Sequence, residues 1–227
     1  MDTIQQEDLG LELIDFVDNK ISLCQKILDS KIGGSYFEVY LILSSVISGI
    51  ASLIWPGRGI DRKRFVELLI RFDSSENEFS RISTPLLLDN FKNSSITNIE
   101  VFKKYQEFQV SRILTGSEID FNENYIVNVT KEIVIKDLRS FSYANIFYSE
   151  VRSSIVHQYE LSKIASLFPM TIRRELVSYN NYLEKPNRRI CFNIQEMMNR
   201  IKLISTNVFR EIKMVPQKTP ISWWVDG

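Results

Sequence analysis

The chain carries one histidine, His157, and that count narrows its chemistry more than any other. Imidazole is the side chain that exchanges a proton near neutrality, so any reaction needing it must use this residue. Five positions earlier stands Arg152, whose guanidinium stays charged and can hold two phosphate oxygens at once. The surrounding stretch reads Ile146-Phe147-Tyr148-Ser149-Glu150-Val151-Arg152-Ser153-Ser154-Ile155-Val156-His157-Gln158-Tyr159. On a helix, Tyr148 lies one turn before Arg152 and Ser153 one turn before His157, so the tyrosine can pack on the guanidinium and the serine can orient the ring. A lone histidine beside apolar residues is also a common structural residue, and spacing alone does not separate the two readings. Histidine-rich zinc and di-iron centres cannot be built within one such chain. Cys24 and Cys191 are too few and too far apart for a zinc knuckle, so no metal or cofactor is expected.

The elements that must position this pair read as mainly helical. Leu9, Leu13, Phe16, Val17, Cys24, Ile27 and Leu28 recur at helical spacing, with Glu12, Asp15 and Asp18 on another face. Tyr36 to Trp55 is the most apolar run. It has no charge from Val39 onward, falls slightly under the roughly 20 residues of a membrane span, and places Ser44, Ser48 and Ser52 along one side, so it reads as a buried core helix. Asp61 is expected to cap a helix through Phe72 that turns Phe65, Leu68, Leu69 and Phe72 inward. Loops with one short helix are expected over 73–97, and a helix over Asn98 to Leu114, ended by Gly116. Tyr125 to Ile135 alternates and is rich in β-branched residues, which suggests a short strand or hairpin. Leu138 to about Leu161 reads as the long helix that carries His157. Thr171 is expected to cap a helix to Leu183, Lys185-Pro186-Asn187 to form a turn, Arg189–Ile194 a strand, and Gln195–Ile212 a last helix. Without repeats or a linker, the simplest organisation is one domain over 1–227, with a core about 9–168 and a helical extension about 169–227.

The Arg-x4-His pair, late in a long amphipathic helix and flanked by Tyr148, Ile155, Val156 and Tyr159, resembles the signature of the HEPN superfamily. These are helical domains of prokaryotic toxin, CRISPR and phage-defence systems. The long apolar helix near the N-terminus matches the family's bundle more loosely. Many active members have Asn, Asp or His directly after the arginine, where this chain has Ser153. The resemblance implies a HEPN-like helical bundle and metal-independent cleavage of RNA by a homodimer in the cytoplasm, with Arg152 and His157 catalytic and Tyr148, Ser153 and Tyr159 in support. In relatives paired with a nucleotidyltransferase antitoxin, a tyrosine placed as Tyr159 is modified with AMP, so an antitoxin or defence-system partner is a further expectation. On an ideal helix Arg152 and His157 differ by about 140° and by about 7.5 Å along the axis, so a two-fold axis that supplies a second copy of each is a way to gather them on one phosphate.

Charge bears on the same question. The chain balances 28 Lys+Arg against 28 Asp+Glu, which on its face disfavours a nucleic-acid partner. The balance is a sum of unlike parts: Met1–Ser30 is net −5, whereas Pro169–Lys218 is net +6. Arg58, Arg62, Lys63 and Arg64 form one basic cluster, and Arg173, Arg174, Arg188 and Arg189 supply a second set of residues for binding RNA. An acidic, polar Met1–Gly10 and two cysteines predict a reducing, cytoplasmic setting with no membrane association. Two other readings remain open: a HEPN module that binds RNA or a nucleotide without cutting it, and a helical interaction subunit whose contacts are the acidic N-terminus and Trp223-Trp224. Gly57-Arg58-Gly59 follows a helix, unlike a phosphate loop, and Glu211-Ile212-Lys213 lacks the strand aspartate of a metal-dependent nuclease.

Overall fold

A computed structural model describes residues 3–30, 35–73, 77–92, 94–107, 113–166, 175–181 and 188–212. The chain is mainly helical with a small three-stranded antiparallel sheet. It opens with α1 (Thr3–Asp29), α2 (Ser35–Ile54) and α3 (Asp61–Phe72). Short elements follow: α4 (Thr84–Asn90), α5 (Glu100–Glu107), β1 (Leu114–Thr115), α6 (Gly116–Ile119), α7 (Glu123–Thr130) and α8 (Ile135–Arg139). A continuous helical rod then runs through α9 (Tyr143–Ile146), a π-helical turn (Phe147–Arg152) and α10 (Ser153–Gln158). Strands β2 (Val177–Asn181) and β3 (Arg188–Phe192) precede α11 (Ile194–Ile212). These elements form two compact units, Met1–Glu78 with Ile194–Asp226, and Phe79–Asn193.

The first unit is a cluster of α1, α2, α3 and α11, in which α11 packs against each of the other three. Leu13, Val17, Ile21 and Cys24 form the buried stripe of α1, at the spacing of one helix face. Phe16 instead stays 44% exposed with the Lys20 ammonium 5.5 Å from its ring centre. Gly10 permits the closest approach in this unit, since a Cβ there would fall 2.0 Å from the Phe209 ring of α11. In α2, Val39, Leu43, Ile47, Ile50 and Ile54 are buried. By length and composition Tyr36–Ile54 is apolar enough to cross a membrane, and half of that stretch is buried. Ser44 is buried, whereas Ser48 and Ser52 are half-buried.

The start of α3 differs from the expected cap. Asp61 is the first helical residue and Ile60 occupies the capping position without a side-chain bond. Asp61 accepts instead from Arg64 Nη2 at 2.6 Å, while Arg64 Nη1 donates to the carbonyls of Trp55 and Gly57 at 3.3 and 3.2 Å. The α2–α3 connection is thus tied by an arginine rather than by an aspartate cap. A second arginine, Arg200 of α11, gathers Asp73, Glu78 and Glu196 at 2.8, 3.0 and 3.1 Å. Burial works against its charge, but the bond to Asp73 and the surrounding carboxylates hold its pKa above the ordinary value.

In the second unit, Ile82, Leu87, Phe102, Ile126 and Leu138 form one apolar core. Four sequence expectations fail here. Tyr125–Thr130 is helix α7, not a strand: Asn122 caps it by accepting from Tyr125 N at 2.8 Å, and Lys131 ends it in the left-handed conformation. Ile126 and Thr130, four apart, are the buried pair, so tertiary burial and a good cap override β-propensity. Leu114 lies in β1 and Gly116 begins α6 instead of ending a helix. Val177–Asn181 is the central strand β2, antiparallel to both β1 and β3, where the sequence suggested helix. Its Val177 and Tyr179 are buried and alternate with half-buried Ser178 and Asn180, the period of a strand. The expected long helix from Leu138 is interrupted at Ser140–Ser142, where Asn145 Nδ2 donates to Ser140 O at 2.7 Å and Ser142 caps α9. The Thr171 cap, the turn at 185–187 and Trp223-Trp224 lie outside the described residues.

Candidate functional site

The helical rod that bears the pair is anchored on the sheet. Tyr143, Phe147, Val151 and Ile155 are all buried. Phe147 meets the Phe192 ring edge-on at 5.0 Å, and Tyr143 meets the same ring at 6.4 Å. These four residues recur every four positions, a period that an α-helix cannot keep on one face, because each step drifts by about 40°. The π-turn supplies the correction. Its i→i+5 hydrogen bonding, seen in the bond from Ser153 N to Tyr148 O, holds about 4.4 residues per turn and rotates the next step the opposite way. The apolar stripe therefore stays buried along the rod, at about 1.5–3 kcal/mol for each large side chain buried.

On the outward side, the Arg152 guanidinium carbon lies 5.0 Å from the centre of the Tyr148 ring. A ring face at that distance attracts the cation and limits the arginine's freedom. Arg152, Ser153 and Tyr148 are half-buried, whereas His157 is exposed on the last turn of α10 together with Val156 and Tyr159. No hydrogen bond joins Ser153 to His157 among the described residues. Helix α10 ends at Tyr159, whose φ of 52° is left-handed and whose N–H donates to Ile155 O at 3.1 Å. Beyond it the chain folds back: Ser162 N reaches Glu150 O at 3.4 Å, and Ile190 of β3 is bonded to Ile164 and Ser166 on either side.

The basic residues named from sequence fall in both units. Arg58, Arg62, Lys63 and Arg64 belong to the first unit, where Arg58 and Arg62 are exposed and Arg64 is used by the α2–α3 turn. Arg188 is buried at 6% exposure on β3, with Arg189 half-buried beside it. That burial removes Arg188 from any surface that could hold RNA. Arg173 and Arg174 lie outside the described residues. Both cysteines are buried, and burial pushes the Cys24 thiol up to about 11, which suppresses thiolate reactivity. Among the described residues no group of three or more His, Cys, Asp or Glu is placed to hold a metal ion.

A polar cluster that spacing did not reveal lies at the centre of the second unit. Asp120 accepts from Thr84 N at 2.7 Å on one oxygen and from the hydroxyls of Tyr143 and Tyr179 on the other, the latter at 2.6 Å. Tyr179 Oη also lies 2.9 Å from Ser83 Oγ. Burial pushes the Asp120 carboxyl up to about 7 against the pull of these bonds. The signal is tertiary, because the partners come from 36, 23 and 59 positions away. Gly116 makes the cluster possible: a Cβ there would fall 2.2 Å from the Tyr143 hydroxyl. Gly116→Ala is therefore expected to push Tyr143 off Asp120 and cost about 2 kcal/mol in denaturant unfolding. The same change on a Tyr143→Phe background should cost markedly less, a non-additivity that a double-mutant cycle reads directly.

No protein-family model, no curated protein and no solved structure matches this chain, so the arrangement of its own residues is what a functional reading stands on.

Proposed function

We propose that the chain is a metal-independent endoribonuclease of a bacterial toxin or anti-phage defence system, acting as a homodimer through the helix that bears Arg152 and His157. The observation that carries this reading is one helix end on which an aromatic-braced arginine is followed, five residues on, by an exposed histidine. In such a reaction a ribose 2′-oxygen attacks the adjacent phosphorus in line, the new O–P bond replaces the bond to the 5′-oxygen, and a 2′,3′-cyclic phosphate and a 5′-hydroxyl result. One His157 takes the 2′-hydroxyl proton, and the partner subunit's His157 returns a proton to the leaving oxygen. Arg152 holds the phosphate oxygens as charge builds on them. The setting this implies is the cytoplasm, with an antitoxin or other defence-system protein as the natural restraint.

The purified chain is expected to cleave single-stranded RNA or tRNA in EDTA and to leave cyclic phosphate ends. Products that form only after a divalent metal is added would overturn the reading. A second reading, a HEPN-like module that binds RNA without cutting it, is favoured by Ser153, which has no bond to the His157 ring. It predicts salt-sensitive RNA binding with no product.

A further inference from the structure

Beside its buried stripe, α1 carries a second line of residues that faces outward. Glu12, Phe16, Asn19, Leu23 and Lys26 are all exposed, and their spacing of four, three, four and three keeps them on one helix face. Two of them are large and apolar, Phe16 at 44% and Leu23 at 42% exposure. The order along this seam is acid, aromatic, amide, leucine, base. Glu12 and Lys26 stand seven residues, about 10.5 Å, on either side of Asn19.

Turned end for end about Asn19, the seam is complementary to itself. Glu12 meets the partner subunit's Lys26, Phe16 lies beside the partner's Leu23, and Asn19 faces the partner's Asn19. A parallel pair would instead set Glu12 against the partner's Glu12 and Lys26 against the partner's Lys26. Charge therefore selects the antiparallel order. A two-fold axis through Asn19 makes each favourable contact occur twice, as an isologous interface requires. The amide fixes the register, because its hydrogen bonds are best met opposite a second amide. A helix from another protein has no reason to read the same in both directions, so the occupant that fits this face is the chain itself.

We propose that α1 pairs with α1 of a second copy of this chain, antiparallel about Asn19, with Phe16 and Leu23 packed between two Glu12–Lys26 ion pairs. The contact belongs to the first unit and does not rest on the homodimer proposed at Arg152 and His157. A chain with two isologous contacts can build assemblies larger than a dimer. The face is about 21 Å long and one helix wide, less than a standard interface, so the association is weak and is measured at about 200 μM chain.

The test is cross-linking at the axis, which reads this contact alone. Cys24 and Cys191 are buried, so an introduced surface cysteine is the accessible thiol. Under mild oxidation Asn19→Cys should form a covalent dimer. Ser22→Cys, exposed on the same helix but offset from its copy by about 9 Å along the axis, should do so at least about tenfold more slowly. Adding Glu12→Lys to Asn19→Cys should slow the cross-link about tenfold, since like charges then meet at both ends, and adding Lys26→Glu as well should restore it. Sedimentation of the charge variants with Asn19 in place should give the same order, independent of the cysteine. All these positions are exposed, so thermal unfolding should stay close to that of the parent. Equal cross-linking at positions 19 and 22 would overturn the pairing. So would a rate that ignores Glu12→Lys, or a loss that Lys26→Glu does not restore.

Discussion

Replacing His157 with alanine should lower the rate of RNA cleavage by about 10²–10⁴-fold, the usual contribution of a positioned acid–base group. Thermal stability should stay close to that of the parent. Both halves follow from placement: the imidazole is exposed on the last turn of α10, so its removal opens no cavity, while the chain has no second imidazole to take its place. Arg152→Ala should cost a similar factor, and Arg152→Lys should recover only part of it, since an ammonium cannot grip two oxygens in one plane. The dimer enters through a mixture. Arg152 and His157 diverge by about 140° around the α-helical segment that joins them, so the working pair is expected to come from two chains. Co-expressed Arg152→Ala and His157→Ala subunits should regain part of the cleavage that neither shows alone, because their heterodimer holds one intact arginine and one intact histidine on opposite sides of the axis, with water left to give the proton that a second histidine would supply. Full activity in either single variant would refute the assignment, and no recovery in the mixture would refute the shared site.

The second large effect concerns stability and pH. The Asp120 carboxyl, pushed up to about 7 from an ordinary 3.8, binds its proton more tightly in the folded chain than in the unfolded one. Its contribution is therefore complete below about pH 4, declines as the pH rises through the window between 4 and 7, and is gone above it. The full swing is on the order of 4 kcal/mol, three pH units at about 1.4 kcal/mol each. Its charged and titratable neighbours are Tyr143, Tyr179 and Arg81, of which Arg81 Nη1 donates to Asp120 O at 3.4 Å. Tyr143 is itself raised well above its usual value, by burial first and by the Asp120 charge second, so its phenol does not ionise in this window. An asparagine reproduces the protonated acid: its oxygen can accept from Thr84 N and its amide can donate to the two phenol oxygens. Asp120→Asn should flatten this part of the pH profile and equal or exceed the parent at pH 8. Asp120→Ala leaves two hydroxyls and an N–H without their acceptor and should cost about 3 kcal/mol or more at every pH. Urea unfolding at pH 5 and pH 8 separates these outcomes, and an unchanged parent–asparagine difference would refute the linkage.

Different physical scales explain what could be read from the sequence. The long helices α1, α2, α3 and α11 were legible because each buries a stripe at helical spacing over many residues. Short elements of the second unit were not: at eight residues or fewer, a cap such as Asn122 or a strand partner on each side of β2 decides the conformation more than composition does. The rod around the pair falls between these cases. Its Tyr143, Phe147, Val151 and Ile155 repeat every four residues, and that strict interval, one residue in ten off the helical period, was the available sign of the π-turn. The Arg152–His157 pair could be named because His157 is the chain's one histidine and both residues lie within a single local stretch. The Asp120 cluster could not, since aspartate and tyrosine are common and only the fold brings these together.

The chain's order through its two units has a consequence for how it is made. The first unit is closed by α11, yet 115 residues, Phe79–Asn193, are synthesised between Glu78 and Ile194. Until α11 emerges, α2 exists without the helix that covers part of its apolar surface, and Asp73 and Glu78 exist without the arginine that neutralises them. At ribosomal rates of about 5–20 residues per second, that interval lasts about 6–23 seconds. The second unit can complete its fold first, whereas the first depends on a late segment, so the nascent chain passes through a stage in which α1, α2 and α3 all lack the helix that closes them.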